Sequence, residues 1–114
     1  VFSMRCVVTA PADFPPLPAA AVAHLRLLAK EALLNAWRHG QARHATIALR
    51  VEDGQGVLEI GNDGAPLPQP VPAYGAGVSS MAHRARLVGG ALQLSNETDG
   101  GVLVRCTFSL PAEG

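Results

Sequence analysis

The sequence has no excess of charge of either sign: 9 Lys and Arg residues balance 9 Asp and Glu residues over 114 positions. A nucleic-acid-binding domain normally shows a basic surplus or stripe, so that class of partner is not expected. Uninterrupted apolar runs are also missing. Arg, Lys or Glu breaks each run well before the length needed to cross a bilayer, so no membrane contact by this stretch is expected. No cationic leader with an apolar core and a cleavage site opens the chain, and it begins at Val1 rather than a methionine, which suggests an excised piece of a longer protein. Cysteine is scarce. Cys6 and Cys106 are the only two, neither lies in a closely spaced pair of the kind that holds zinc, and each sits in an apolar run. Both therefore read as reduced, buried thiols, and a cytoplasmic compartment follows. Two phosphate-binding signatures are absent as well: Gly-x-x-x-x-Gly-Lys-Ser/Thr and the strand-to-helix dinucleotide fingerprint.

What is present describes one globular domain spanning residues 1–114, with 48% hydrophobic and 16% charged residues. Phe2 to Val8 is rich in β-formers and reads as a strand. Pro11, Pro15, Pro16 and Pro18 then form a stiff connector. From about Ala19, Val22, Leu25, Ala29, Ala32, Leu33 and Ala36 recur at helical spacing, up to Gly40. Ala45 to Val51 and Val57 to Ile60 are strands around a hairpin-type turn. Residues 65 to 77 hold too many prolines and glycines for helix or strand, and a loop of that length is usually functional. Val78 to Val88 reads as a second helix ending at Gly89-Gly90. Ala91 to Ser95 and Val102 to Leu110 close the chain as a hairpin. This order predicts a two-layer α/β sandwich with a mixed, mostly antiparallel sheet and helices on one face.

The first helix carries polar groups in a pattern. Glu31, Asn35 and Arg38 stand at i, i+4 and i+7 and share a stripe apart from the apolar one. A neutral amide oxygen suits Mg²⁺, a guanidinium neutralises phosphate, and a carboxylate can orient water or take a proton. The same triad also decorates ordinary solvated helices. The neighbouring glycines give it weight, because Gly75-Ala76-Gly77 immediately precedes a helix, where backbone N–H groups and the dipole favour an anion.

With these pieces in order, Glu31-Ala-Leu-Leu-Asn35-Ala-Trp-Arg38-His39-Gly40 resembles the N box of histidine-kinase ATP-binding domains, in the version of nitrate-sensor-type two-component kinases. Asn62-Asp63-Gly64 resembles the first glycine box, and Gly75-Ala-Gly77-Val78-Ser-Ser-Met81-Ala-His-Arg84-Ala85 the second. The resemblance implies a Bergerat-type ATP-binding sandwich that uses ATP and Mg²⁺. It implies Mg²⁺ at Asn35, phosphate at Arg38, nucleotide contact at His39, and an acid at Glu31 that is the water-activating base in hydrolytic relatives. Asn62, Asp63, Gly64, Gly75, Gly77, Val78, Met81 and Val102 complete the implied nucleotide-binding set, with Ala65 to Gly75 as the ATP lid; on helical pattern alone Met81 and Leu87 are core. The implied partners are a dimerisation domain bearing the phosphorylated His and a response regulator with helix-turn-helix output, in a parent that such kinases can anchor in the inner membrane. Three positions depart from the family pattern. Asn62 stands where an Asp usually accepts the adenine amino proton, Pro66 replaces a Gly, and Val102 replaces a Thr. An anti-sigma-factor-type serine kinase and a non-catalytic docking module of the same fold remain alternatives.

Overall fold

A computed structural model describes residues 4–66, 76–98 and 100–111, and the backbone but not the side chain of His39 and of Ala76. The start of the expected first strand, most of the expected lid and Gly75 lie outside the described residues. Helix α1 runs Ala19–Gly40, beginning directly after Pro18, whose fixed φ leads into a run of strong helix formers. It ends one residue later than expected: Gln41 takes the left-handed conformation (φ 53°), and the Ala42 N–H returns to the Ala36 carbonyl at 3.0 Å. Strands β2 (His44–Glu52) and β3 (Gln55–Asn62) form a hairpin in which Glu52 faces Gln55. Only Asp53 and Gly54 turn the chain, both at positive φ (53° and 78°), which is the geometry that Asp-Gly favours between twisted strands. Helix α2 covers Ala76–Leu87, and β4 (Leu92–Asn96) pairs antiparallel with β5 (Val102–Phe108).

The first strand, β1 (Arg5–Thr9), pairs parallel to β2, because α1 carries the chain back to the same end of the sheet. The sheet order is β1-β2-β3-β5-β4. One face packs against the helices: Leu58 and Ile60 of β3 and Val104, Cys106 and Phe108 of β5 meet Leu25, Leu28 and Ala32 of α1 and Met81, Ala85 and Val88 of α2. The two-layer mixed α/β architecture is as expected. The open face carries an ion lattice in which Arg50 and Arg105 each bridge Glu52 and Glu59. These bonds hold both glutamates below the ordinary carboxylate range, hydrogen bonds from Arg50 first.

Three expectations change. The core stripe of α1 is turned toward Leu28, which is wholly buried, while Val22 is exposed. Leu87 is exposed, since it closes the last turn of α2 on the outer side. Cys106 is buried, and burial pushes its thiol up to about 11, but Cys6 is exposed because no helix covers the edge strand β1.

Candidate functional site

Contacts along the sheet fix which end of the molecule each helix terminus occupies. Phe14, just before α1, packs against Phe108 at the end of β5, with ring centroids 6.2 Å apart. The Ser109 N–H bonds the Val88 carbonyl at 2.9 Å, so the C-terminus of α2 lies at that same end. At the opposite end, the Ala65 N–H reaches the carbonyl of Gly40, the last residue of α1, at 2.9 Å. The two helices therefore run antiparallel. The C-terminal half of α1, the N-terminus of α2, the tip of β3 and the start of β5 all converge on one end of the sheet.

The stripe of α1 that faces α2 is identified by a side-chain contact: His24 Nδ1 lies 3.1 Å from Arg84 Nη1. Glu31 and Asn35 are 7 and 11 residues further along, on the same side of the helix. Glu31 and Asn35 are half-buried and Arg38 is exposed. None of the three makes a hydrogen bond or ion pair with another side chain among the described residues. A carboxylate, an amide and a guanidinium thus lie along the side of α1 turned toward α2, with no partner among the described residues. At the same end of the sheet, α2 begins with Ala76, Gly77 and Val78, with no acidic residue in its first turn.

The Asn62-Asp63-Gly64 turn is built differently from the sequence expectation. Asn62 Oδ1 accepts the Gly64 N–H at 2.8 Å, which closes the turn on itself. Asp63 Oδ1 accepts the N–H groups of Arg43 and His44 at 2.8 and 2.9 Å, and Oδ2 lies 2.8 Å from His44 Nδ1. The His44 N–H, then the His44 ring and the Arg43 N–H, hold the Asp63 carboxyl down at about 2. Asp63 thereby staples the tip of β3 to the start of β2. No local sequence signal announces this, since its partners lie 19 and 20 residues away. A pH test follows. Because the folded pKa lies below the ordinary 3.8, the stabilisation is full above that value and is lost as the pH falls through about 2. Asp63→Ala is expected to lower Tm at pH 7, with the gap from the unsubstituted chain closing near pH 2. A gap of constant size would contradict the staple.

Glycines set the spacing around this turn. A Cβ on Gly64 would stand 2.7 Å from the Gly40 carbonyl oxygen, so α1 and the β3 tip touch through bare backbone. Gly101, at φ 90°, brings the start of β5 so close that a Cβ would lie 1.9 Å from the Asn62 carbonyl oxygen. Met81 and Val102 belong to the buried core, which supports the site from beneath, and Val78 is packed against it. Of the expected site residues, the structure gathers Glu31, Asn35, Arg38, Asn62, Asp63, Gly64, Gly77, Val78 and Val102 at one end. The His39 side chain and Gly75 fall outside the description. The His24–Arg84 contact joins residues 60 positions apart, so no local pattern announces it, although Arg84 stands in the second glycine-box motif.

Residues 20–113 match the family described as histidine kinase-, DNA gyrase B-, and HSP90-like ATPase. The chain is 33% identical over 93 residues to the nitrate/nitrite sensor protein NarQ of Escherichia coli, covering 80% of this chain and 16% of that one. It is 38% identical over 81 residues to the sensor histidine kinase LnrJ of Bacillus subtilis, covering 71% of this chain and 20% of that one. It therefore spans at most a fifth of these relatives. Among solved structures, the ATP binding domain of PrrB from Mycobacterium tuberculosis matches with a TM-score of 0.76 at 24% identity, over 98% of this chain and 84% of that one. The Erythrobacter litoralis EL346 blue-light activated histidine kinase matches with a TM-score of 0.79 at 21% identity, over 96% of this chain and 36% of that one.

Proposed function

Because the chain belongs to the histidine kinase-like ATPase family, as the ATPase domain of sensor histidine kinases, we propose that it delivers the ATP γ-phosphoryl group to a histidine on a separate dimerisation domain. The observation that carries this reading is the uncommitted Glu31–Asn35–Arg38 stripe, set at the same end of the sheet as the N-terminus of α2. Phosphoryl transfer asks a protein mainly for positioning and charge neutralisation. First-turn N–H groups at Gly77 and Val78 suit phosphate oxygens, and Arg38 offsets their charge. The Asn35 amide oxygen is a hard neutral donor, fit for Mg²⁺ shared with phosphate. Bound Mg²⁺ supplies electrostatic stabilisation of the transferring group.

Glu31 is the one carboxylate on the stripe and is placed to orient a water or a proton near the phosphates. Asn62 faces the base end of the pocket in this reading, where its Oδ1 is already engaged by Gly64, leaving Nδ2 to donate. The whole chain acts as one ATP-binding unit that cannot phosphorylate itself without the acceptor domain. A response regulator with helix-turn-helix output takes the phosphoryl group onward. No helix among the described residues is long and apolar enough to cross a membrane.

Calorimetric titration with a non-hydrolysable ATP analogue tests the assignment. Binding should strengthen on adding Mg²⁺, and Asn35→Ala should remove most of that gain, at least tenfold in Kd, while metal-free binding stays. An Asn35→Ala protein with unchanged metal dependence would overturn it. Absence of any binding, with ADP as well, would favour a docking module.

A further inference from the structure

Helices α1 and α2 meet the sheet chiefly at β3, β5 and β4, which leaves β1 exposed and β2 only partly covered on the helix-bearing face, where Ile47 and Leu49 are half-buried. Two strands span about 10 Å, which is the spacing of two packed helices. The strip is lined accordingly. Beside α1 runs a groove of about 470 Å³ whose lining residues, apart from Arg26 and Lys30, are all hydrophobic. Ile47 and Leu49 form its floor, with Val22, Leu33 and Leu34 of α1 as its wall. Val8 pairs with Ile47 in register, so it extends the same apolar face, and it is 65% exposed. Trp37 continues the α1 wall one turn beyond Leu33 and Leu34 and is also exposed.

The charge at this groove has one sign. Arg26 and Lys30 stand one helical turn apart on the wall, and neither has an ion-pair partner among the described residues. We propose that this strip seats a third helix: an amphipathic α-helix from a polypeptide segment outside these 114 residues, with its apolar stripe against Ile47 and Leu49 and carboxylates along the flank that meets Arg26 and Lys30. Width, apolar floor and unpaired cations all select that occupant. A helix satisfies its own backbone groups, fills a channel one helix wide, and can present acids at i and i+4 to cations at i and i+4. The seat is on the opposite side of α1 from Glu31 and Asn35, so it is independent of the nucleotide reading and its occupant does not compete with ATP.

The test uses the intact chain and synthetic helical peptides of about four turns, identical in their leucine stripe and flanked by either Glu or Lys. Trp37 is the only tryptophan, and its emission reports occupancy of the groove. The Glu-flanked peptide should bind saturably and shift that emission to the blue, at least tenfold more tightly than the Lys-flanked one. Arg26→Glu combined with Lys30→Glu should reverse the order while leaving affinity for the ATP analogue unchanged. Leu49→Lys should abolish binding of both peptides with the circular dichroism spectrum retained. Equal affinity for the two peptides, or binding insensitive to Leu49→Lys, would overturn the proposal. So would dimerisation of the chain that Leu49→Lys abolishes, which makes a second copy the occupant, or tight binding to phosphatidylglycerol vesicles through the same residues, which makes it lipid.

Discussion

Replacing Phe108 with alanine is expected to cost about 3–5 kcal/mol of unfolding free energy, a large part of the roughly 5–15 kcal/mol that holds a domain folded. Phe108 is wholly buried at the end of β5, where it joins the core and meets the ring of Phe14. Its ring also lies on Gly56, the facing residue in β3, where an added Cβ would stand 2.2 Å from a ring carbon. That contact makes the result specific. Gly56→Ala alone should destabilise strongly, because the ring must move within a packed interior. In a Phe108→Ala background the obstruction is gone, and the same substitution should become nearly neutral or favourable. Denaturant unfolding of the two single variants and the double variant would therefore show a coupling on the order of 1–3 kcal/mol. Additive losses would mean that Gly56 is small for some other reason.

The second large effect is expected at Gly101. Gly100 and Gly101 both sit at φ near 90°, but only Gly101 has backbone where a Cβ would go; Gly100 has nothing within 4 Å. Gly100→Ala should thus incur only the conformational cost, about 1 kcal/mol or somewhat more, whereas Gly101→Ala adds an overpacking cost for a total of roughly 2–4 kcal/mol. The two alanines also separate stability from binding. Displacing the Asn62 carbonyl shifts the Asn62–Gly64 turn, so Gly101→Ala should weaken nucleotide binding in protein that remains folded, and Gly100→Ala should not. Equal losses at the two positions would show that the close approach to Asn62 is unimportant.

Much of this was legible in the residues. Asp53-Gly54 announces its hairpin because few dipeptides tolerate two successive positive φ values. Alanine-rich helical periodicity after Pro18 locates α1, and the run of three ordered motifs identifies the family. What escaped has physical reasons. Helix α1 has two adjacent apolar stripes, and periodicity cannot say which one meets the sheet; Leu28 faces the core and Val22 the open groove. An apolar run around Cys6 reads as buried, yet burial of a strand depends on what covers it, and β1 stands at an uncovered edge. Asp63 stands in a motif read for binding, and its structural bonds are a separate matter that the motif does not announce. Its engagement with Arg43 and His44 exists only once β2 and β3 have paired.

Gly40 and Gly64 meet backbone to backbone, and the Ala65 N–H is bonded across the junction to the Gly40 carbonyl. With no side chain between them to compress or slide, that junction has no slack. The end of α1, close behind Asn35, and the strand tip bearing Asn62 must then travel as a single rigid jaw. Under the proposed function, any adjustment around a nucleotide would then have to come from the opposing side, the N-terminal end of α2.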